Sequence, residues 1–278
     1  TLSCQSSSEA QQYGGSVGLN ARLIEDWQLR VSGVFDRNES KAQEFLEGAP
    51  YLAYGNESRL WSVDVAADGT VANAPGGDVR LAIGGQFRSE QFVEEFFVYP
   101  VELDREISAA YAELRFPLVG EQNRRAGIER LELTLAGRYE EYSDFGSTVN
   151  PKLGVAWAPV GGLNLRGTWG TSFKAPLLTQ MNPGNSYVYV YEDAFIDGAG
   201  TTTGILLGGS GVNLGPQEST NWTVGLDVTP ELLFGVELAA TYFDIEYEDR
   251  VRNPFPTGYD TYGVLHDPVY ASVVTRNP

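Results

Sequence analysis

From Leu131 to Phe173 the chain alternates apolar with small or polar residues at a period of two, in three successive segments. Leu131, Leu133, Leu135, Gly137 and Tyr139 point one way, and Glu132, Thr134, Ala136, Arg138 and Glu140 the other. Leu153, Val155 and Trp157 then oppose Lys152, Gly154, Ala156 and Ala158. In the third segment Leu163, Leu165, Gly167, Trp169, Thr171 and Phe173 oppose Asn164, Arg166, Thr168, Gly170 and Ser172. Successive side chains of a strand leave on opposite faces, so the pattern predicts a sheet with one apolar and one wet face.

The pattern continues in both directions. Tyr13, Val17, Leu19 and Ala21 form a first strand near 12–22, and after an Ile24-Glu25-Asp26 turn Trp27, Leu29, Val31, Gly33 and Phe35 form a second. Trp61, Val63, Val65 and Ala67 give a third, closed by turn signals at Asp68-Gly69 and Pro75-Gly76-Gly77. Val79 to Phe87 gives a fourth, and residues 105 to 119 a fifth, with Pro117 near its end where a missing donor costs least. After the three opening segments come Thr220 to Val228 and a partner running from Val236 towards Arg250. The expected fold is all-β, an antiparallel meander of about ten long strands, with long connections at 38–58, 89–104, 175–216 and 253–278.

Strands of this length exceed the five or six residues usual in a soluble sandwich and suit a transmembrane barrel, which needs only about 9–11 alternating residues per crossing. Trp27, Phe35, Trp61, Phe87, Tyr139, Trp157 and Phe173 fall on the apolar face near expected strand ends, where the interface belts of a membrane protein belong. No run of about 18 apolar residues occurs, so helical spanning is excluded. The net charge of −18 argues against nucleic acid. Fourteen acidic but only two basic residues lie in the four long connections. One cysteine, Cys4, and one histidine, His266, rule out an internal disulfide framework and the usual zinc spacings. No secretory leader is read at Thr1, so the chain is expected to begin downstream of any export signal or to be cytoplasmic.

Three motifs, Ala109-Ala110-Tyr111-Ala112-Glu113-Leu114-Arg115-Phe116-Pro117-Leu118, Asn150-Pro151-Lys152-Leu153-Gly154, and Leu163 through Pro176 with its Thr171-Ser172-Phe173-Lys174-Ala175-Pro176 ending, resemble the β-barrel of TonB-dependent outer-membrane receptors. Gln217 through Leu226 and Ala240-Thr241-Tyr242-Phe243-Asp244-Ile245 follow in the family's order, so the likeness covers most of 105–252. The resemblance implies a plugged barrel of about 22 strands that imports a scarce ligand (siderophore-iron, a cofactor or a carbohydrate) across the outer membrane. Residues 1–278 are then expected to be an internal portion of that barrel, without its plug or C-terminal strands. Expected partners are the TonB complex acting through the plug, a small molecule at the extracellular loops, and outer-membrane lipid. In isolation the open sheet edges would also favour self-association. A passive porin-like channel and a soluble β-sandwich binding module are the alternatives.

The family's work needs no covalent step. No catalytic residue, metal-ligand cluster or resident cofactor is read from the chain. Glu94-Glu95 and Glu192-Asp193 are acidic pairs that could act as an acid/base pair or as Ca²⁺ ligands, with plain solvation the ordinary reading of such pairs in loops. Tyr187, Tyr189 and Tyr191 alternate in the longest connection with Phe195 beyond, and Tyr51, Tyr54, Phe96, Phe97 and Tyr99 form a second group. Rings with polar tips suit a sugar or an aromatic siderophore, and equally suit a hairpin that extends the wall. Arg30, Arg80, Arg88, Arg138 and Arg166 fall on the polar, lumen face, where they either meet acidic plug residues or pair with neighbouring carboxylates such as Glu132 and Glu140.

Overall fold

The computed structural model describes residues 4–24, 26–96, 100–181, 187–195, 201–208, 214–230 and 235–251. The period-two segments are strands: β1 (Cys4–Arg22), β2 (Gln28–Leu46), β3 (Ala49–Ala74), β4 (Gly77–Phe96), β5 (Val101–Val119), β6 (Arg130–Tyr142), β7 (Gly146–Val160) and β8 (Leu163–Lys174). A short helix, α1 (Leu178–Met181), and a hairpin of β9 (Tyr187–Phe195) with β10 (Thr201–Gly208) precede β11 (Gln217–Val228) and β12 (Leu238–Glu248). Ten strands make one antiparallel sheet in the order β1 to β8, then β11 and β12, while β9 and β10 form a separate two-stranded sheet. Among the described residues no helix is long and apolar enough to cross a membrane.

Among the described residues the connections expected at 38–58 and 89–104 are instead largely strand. β2 and β3 stay paired to Leu46 and Ala49, and the chain reverses at Glu47 and Gly48, both with positive φ. β3 and β4 stay paired as far as Tyr54 and Phe96. The ladder is made by backbone groups, so it continues where neither face is apolar and alternation disappears. Charged and polar contacts replace the apolar ones: Arg37 of β2 reaches Glu57 of β3 at 2.8 Å, while Arg59 pairs with Glu57 along β3 and donates to the Gln91 side chain of β4. β3 also runs through the turn signal at Asp68-Gly69, absorbing a bulge between Thr70 and Ala72 and reversing only after Ala74. Its 26 residues extend for roughly 85 Å, far beyond the ~30 Å of a bilayer core.

Register brings the apolar positions of every strand onto one face. Val31 lies beside Val65, Leu114 beside Leu135, Leu135 beside Leu153, Leu165 beside Leu226. Those residues are largely exposed, with Val65 at 45%, Leu135 at 48% and Leu153 at 46%. In each of β2, β4 and β6 the band runs about nine residues, Trp27 to Phe35, Val79 to Phe87 and Leu131 to Tyr139, the length of one membrane crossing.

An aromatic row closes the band on one side. It comprises Tyr13, Phe35, Trp61, Phe87, Tyr139, Trp169, Trp222 and Tyr242, with neighbouring rings in contact at 6.2 Å for Tyr13–Phe35, and at 5.2 Å for Trp61–Phe87 and Trp222–Tyr242. We call the end of the sheet beyond this row, with the connections at 47–48, 97–100, 143–145 and 175–216, the upper end. The lower end carries the turns at 23–27, 75–76, 120–129 and 161–162.

At the lower end Asp26 clamps the first turn to β3, accepting from the Thr70 amide at 3.0 Å and from its hydroxyl at 2.5 Å. The Thr70 hydroxyl holds the Asp26 carboxyl below its ordinary range. A depressed folded pKa gives stability that is present above the free carboxyl's pKa and lost as pH falls through the folded one. Asp26→Asn is therefore expected to abolish the acid-dependent part of Thr70 amide protection, read by hydrogen exchange as pH falls from about 5 through about 4 and below. An unchanged profile would refute the clamp.

Candidate functional site

The opposite face is a charge ladder. Asp68 on β3 forms an ion pair with Arg30 of β2 at 2.9 Å and accepts from Arg80 of β4 at 3.1 Å, tying three strands through one carboxylate. Gln86 donates to Asp64 at 2.6 Å and accepts from Arg138 at 2.9 Å, and Arg138 also reaches Glu140 at 2.8 Å and lies 5.8 Å from the Tyr111 ring centroid. Tyr111 lies across Gly84, where a Cβ would fall 2.3 Å from the ring. Arg88 meets Glu90 at 2.9 Å, Arg115 meets Glu132 at 2.7 Å, and Arg166 pairs with Asp227 and donates to the Thr241 hydroxyl at 2.7 Å. Each of the five arginines singled out in the sequence thus has a carboxylate partner within the sheet. Exposed pairs of this kind contribute about 0–1 kcal/mol each, so the ladder sets register more than it adds stability.

At the upper end this face holds most of the buried core. Phe92, Ile107, Tyr142 and Leu178 are buried, Ile107 completely, and Arg105 lies on the same face, opposite Glu90 in the ladder. The Arg105 side chain is 3% exposed. Its Nε donates to Asp144 at 2.7 Å and its Nη2 to the Pro176 carbonyl at 2.9 Å, with Glu90 at 3.7 Å. The guanidinium lies over the rings of Tyr142 and Phe145 at 5.6 and 5.7 Å. Sequence alternation does not single out Arg105. Its signal is that it is the one basic residue between Ser89 and Glu106, a stretch with six acidic ones.

Phe173, expected on the apolar face, packs edge-on against Tyr142 at 5.6 Å. Pairing between β7 and β8 stops at Lys152 and Gly170, which frees the end of β8 to turn. The diverging strand ends border a cavity of about 320 Å³ lined by Thr148, Asn150, Ser172, Phe173, Glu218 and Glu248, among others.

The aromatic candidates are distributed differently from expectation. Tyr51 and Tyr54 are not on a loop: both lie on β3 and are exposed, at 63% and 40%. Phe97 and Tyr99 lie outside the described residues. Tyr187, Tyr189, Tyr191 and Phe195 all belong to β9, opposite Gly208, Leu206, Gly204 and Thr201 of β10. That hairpin does not extend the ten-stranded wall. Among the described residues no group of three or more His, Cys, Asp or Glu is placed to hold a metal ion.

Comparison with known proteins gives one family and one fold. A family model described as TonB dependent receptor-like, beta-barrel matches residues 4–275. The siderophore receptor PirA of Pseudomonas aeruginosa superposes with a TM-score of 0.53 at 18% identity, over 88% of this chain and 49% of that one. The Serratia marcescens hemophore receptor HasR, in complex with its hemophore HasA and heme, gives 0.60 at 17% identity, over 87% and 40%. The RagAB peptide transporter gives 0.53 at 12% identity, over 91% and 32%. The chain therefore spans half or less of the length of these solved structures. No curated protein matches it.

Proposed function

The chain belongs to the TonB-dependent receptor β-barrel family, and we propose that it forms a sector of the outer-membrane wall of an active-import receptor whose upper end faces the cell exterior. The carrying observation is the division of one sheet into a nine-residue apolar band under an aromatic row and a polar face knit by ion pairs. That division is what a wall between lipid and a plugged lumen requires. The long hydrogen-bonded strands above the row would stand clear of the membrane and frame a mouth. Receptors for a siderophore, for a hemophore with its heme and for peptides share the fold, which supports uptake of a scarce, bulky ligand without naming it.

On this reading force from the TonB complex displaces a plug that rests on the polar face. We assign Arg138 to that plug contact because it links β6 to β4 at mid-height through Gln86 and pairs with Glu140 on its own strand. Arg138→Ala in the full receptor is expected to leave the nearly buried Glu140 without its cation and to loosen the plug, raising leak conductance in planar bilayers severalfold. Conductance equal to wild type would remove Arg138 from the plug contact.

We assign the ligand to Tyr187, Tyr189, Tyr191 and Phe195 of the hairpin with Tyr51 and Tyr54 of β3, and to Phe97 and Tyr99, which lie outside the described residues. Growth of a deletion strain on single iron or carbon sources tests the reading. Loss of growth on one source, restored by the intact gene and not by a triple Tyr187, Tyr189, Tyr191→Ala variant, is expected. Unselective small-solute leakage in place of energy-dependent uptake would indicate a passive channel and overturn it.

A further inference from the structure

The connection between β8 and β11 begins with Ala175-Pro176-Leu177, turns through α1 and leads to the tyrosine hairpin. Its first residues are packed onto the polar face of the sheet. Pro176 is fully buried, Leu178 is 9% exposed, and Leu177 between them is 51% exposed. One turn of hydrogen bonds shapes the segment, from the Gln180 amide to the Leu177 carbonyl and from the Leu177 amide to the Gln180 side chain, both at 2.9 Å. A four-residue helix cannot hold itself in water, so docking must supply the order.

The docking contact is one guanidinium. Arg105 bridges the wall and the segment: Nε donates to Asp144 of the β6–β7 turn, and Nη2, which lies 2.5 Å from the same carboxylate, donates to the Pro176 carbonyl and lies 3.9 Å from the Met181 sulfur. Tyr142 and Phe145 cover its face and Glu90 approaches from β4. A buried cation with a carboxylate on one side and a loop carbonyl on the other is satisfied only while the loop stays in place. Withdrawal of residues 175–181 would strip it of that carbonyl and expose Ile107, Tyr142 and Leu178 together.

We propose that Arg105 is a positioning residue: it latches the root of the β8–β11 connection to the inner wall and so fixes the point from which the ligand-bearing hairpin departs. The inference deepens the import reading and rests on it for which face of the wall is inner and for the hairpin's part in binding ligand. The latch itself is a claim about packing that can fail separately.

The test uses the full receptor in outer-membrane vesicles and on intact cells, with Cys4, which is exposed, replaced by serine. Single cysteines at Leu177 and Leu178 are labelled with a membrane-impermeant maleimide. With Arg105 intact, Leu177→Cys is expected to react readily and Leu178→Cys slowly. Arg105→Gln is expected to accelerate labelling at position 178 at least about tenfold, Arg105→Lys less, and neither to alter position 177, because removing one member of a buried charge pair leaves the other uncompensated. Asp144→Asn, which leaves Arg105 in place, is expected to act in the same direction and serves should Arg105→Gln fail to give heat-modifiable barrels. Unchanged labelling at 178 in folded Arg105→Gln or Asp144→Asn barrels would overturn the latch. Labelling of Leu177→Cys in opened vesicles but not on intact cells would instead overturn the orientation and leave the latch standing.

Discussion

Leu135→Arg is expected to keep the receptor barrel from inserting, while Ala136→Arg at the next position is tolerated. Leu135 lies midway between Tyr139 and Leu131 on the apolar face of β6, flanked across the ladder by Leu114 and Leu153 and 48% exposed. A charged side chain at the bilayer midplane of a β-barrel costs about 2–4 kcal/mol, a large part of the stability of any single membrane domain. Among the described residues, no carboxylate shares that face between Leu131 and Tyr139 or opposite it on β5 and β7 to offset the charge. Ala136 faces the ladder of charges, beside Glu113 on β5 and Lys152 on β7, in water and next to an acid. Refolding the full receptor into lipid vesicles, with the heat-modifiable shift on gels as readout and a urea series for magnitude, separates the two. Equal losses from both substitutions would mean that the two faces do not see different solvents.

The second large effect is expected at Gly120, where alanine should destabilise by the upper end of, or more than, the about 1–3 kcal/mol typical of overpacking. The turn after β3 and the end of β5 meet there backbone to backbone. A Cβ on Gly120 would lie 2.0 Å from the Gly76 carbonyl oxygen, and one on Gly76 would lie 2.6 Å from the Pro117 carbonyl oxygen. Neither neighbour is a side chain that can rotate away. Asn123 locks the same corner by accepting from the Gly120 amide at 2.8 Å and donating to the Leu118 carbonyl at 2.9 Å. Gly137 is the control, since nothing lies within 4 Å of its Cβ position. Gly137→Ala should shift the urea midpoint little, and a Gly120→Ala midpoint as close to wild type would show that the lower turns do not pack as described.

The two faces of the sheet were legible in the sequence because lipid and water impose a period of two on side-chain polarity. The same reasoning fails above Phe35 and Trp61. There both faces are wet, Glu39, Lys41, Glu57 and Arg59 carry no alternation, and backbone pairing alone continues the strands. The pairing of β8 with β11 was beyond local patterning for another reason: the two are separated by a helix and a hairpin that belong to neither. Among functional candidates the lumen arginines could be placed on a face, but their partners depend on register, as when Asp68 collects Arg30 and Arg80 from two strands. Arg105 was missed because burial at the upper end comes from a segment 70 residues further along the chain, folded over it.

The aromatic row has a geometric consequence. Followed from Tyr13 on β1 through Phe35, Phe87, Tyr139 and Trp169 to Tyr242 on β12, it slips down the ladder by twelve residues in nine strand-to-strand steps. If the row marks the level of a membrane surface, the strands must lean. With a rise of about 3.3 Å per residue and about 4.8 Å between strands, that slip corresponds to a tilt of roughly 40°. Each strand then occupies about 6.5 Å of perimeter, and ten of them about 65 Å. A ring of 22 such strands would be roughly 45 Å across, and this sheet would bend through a little under half of its circumference.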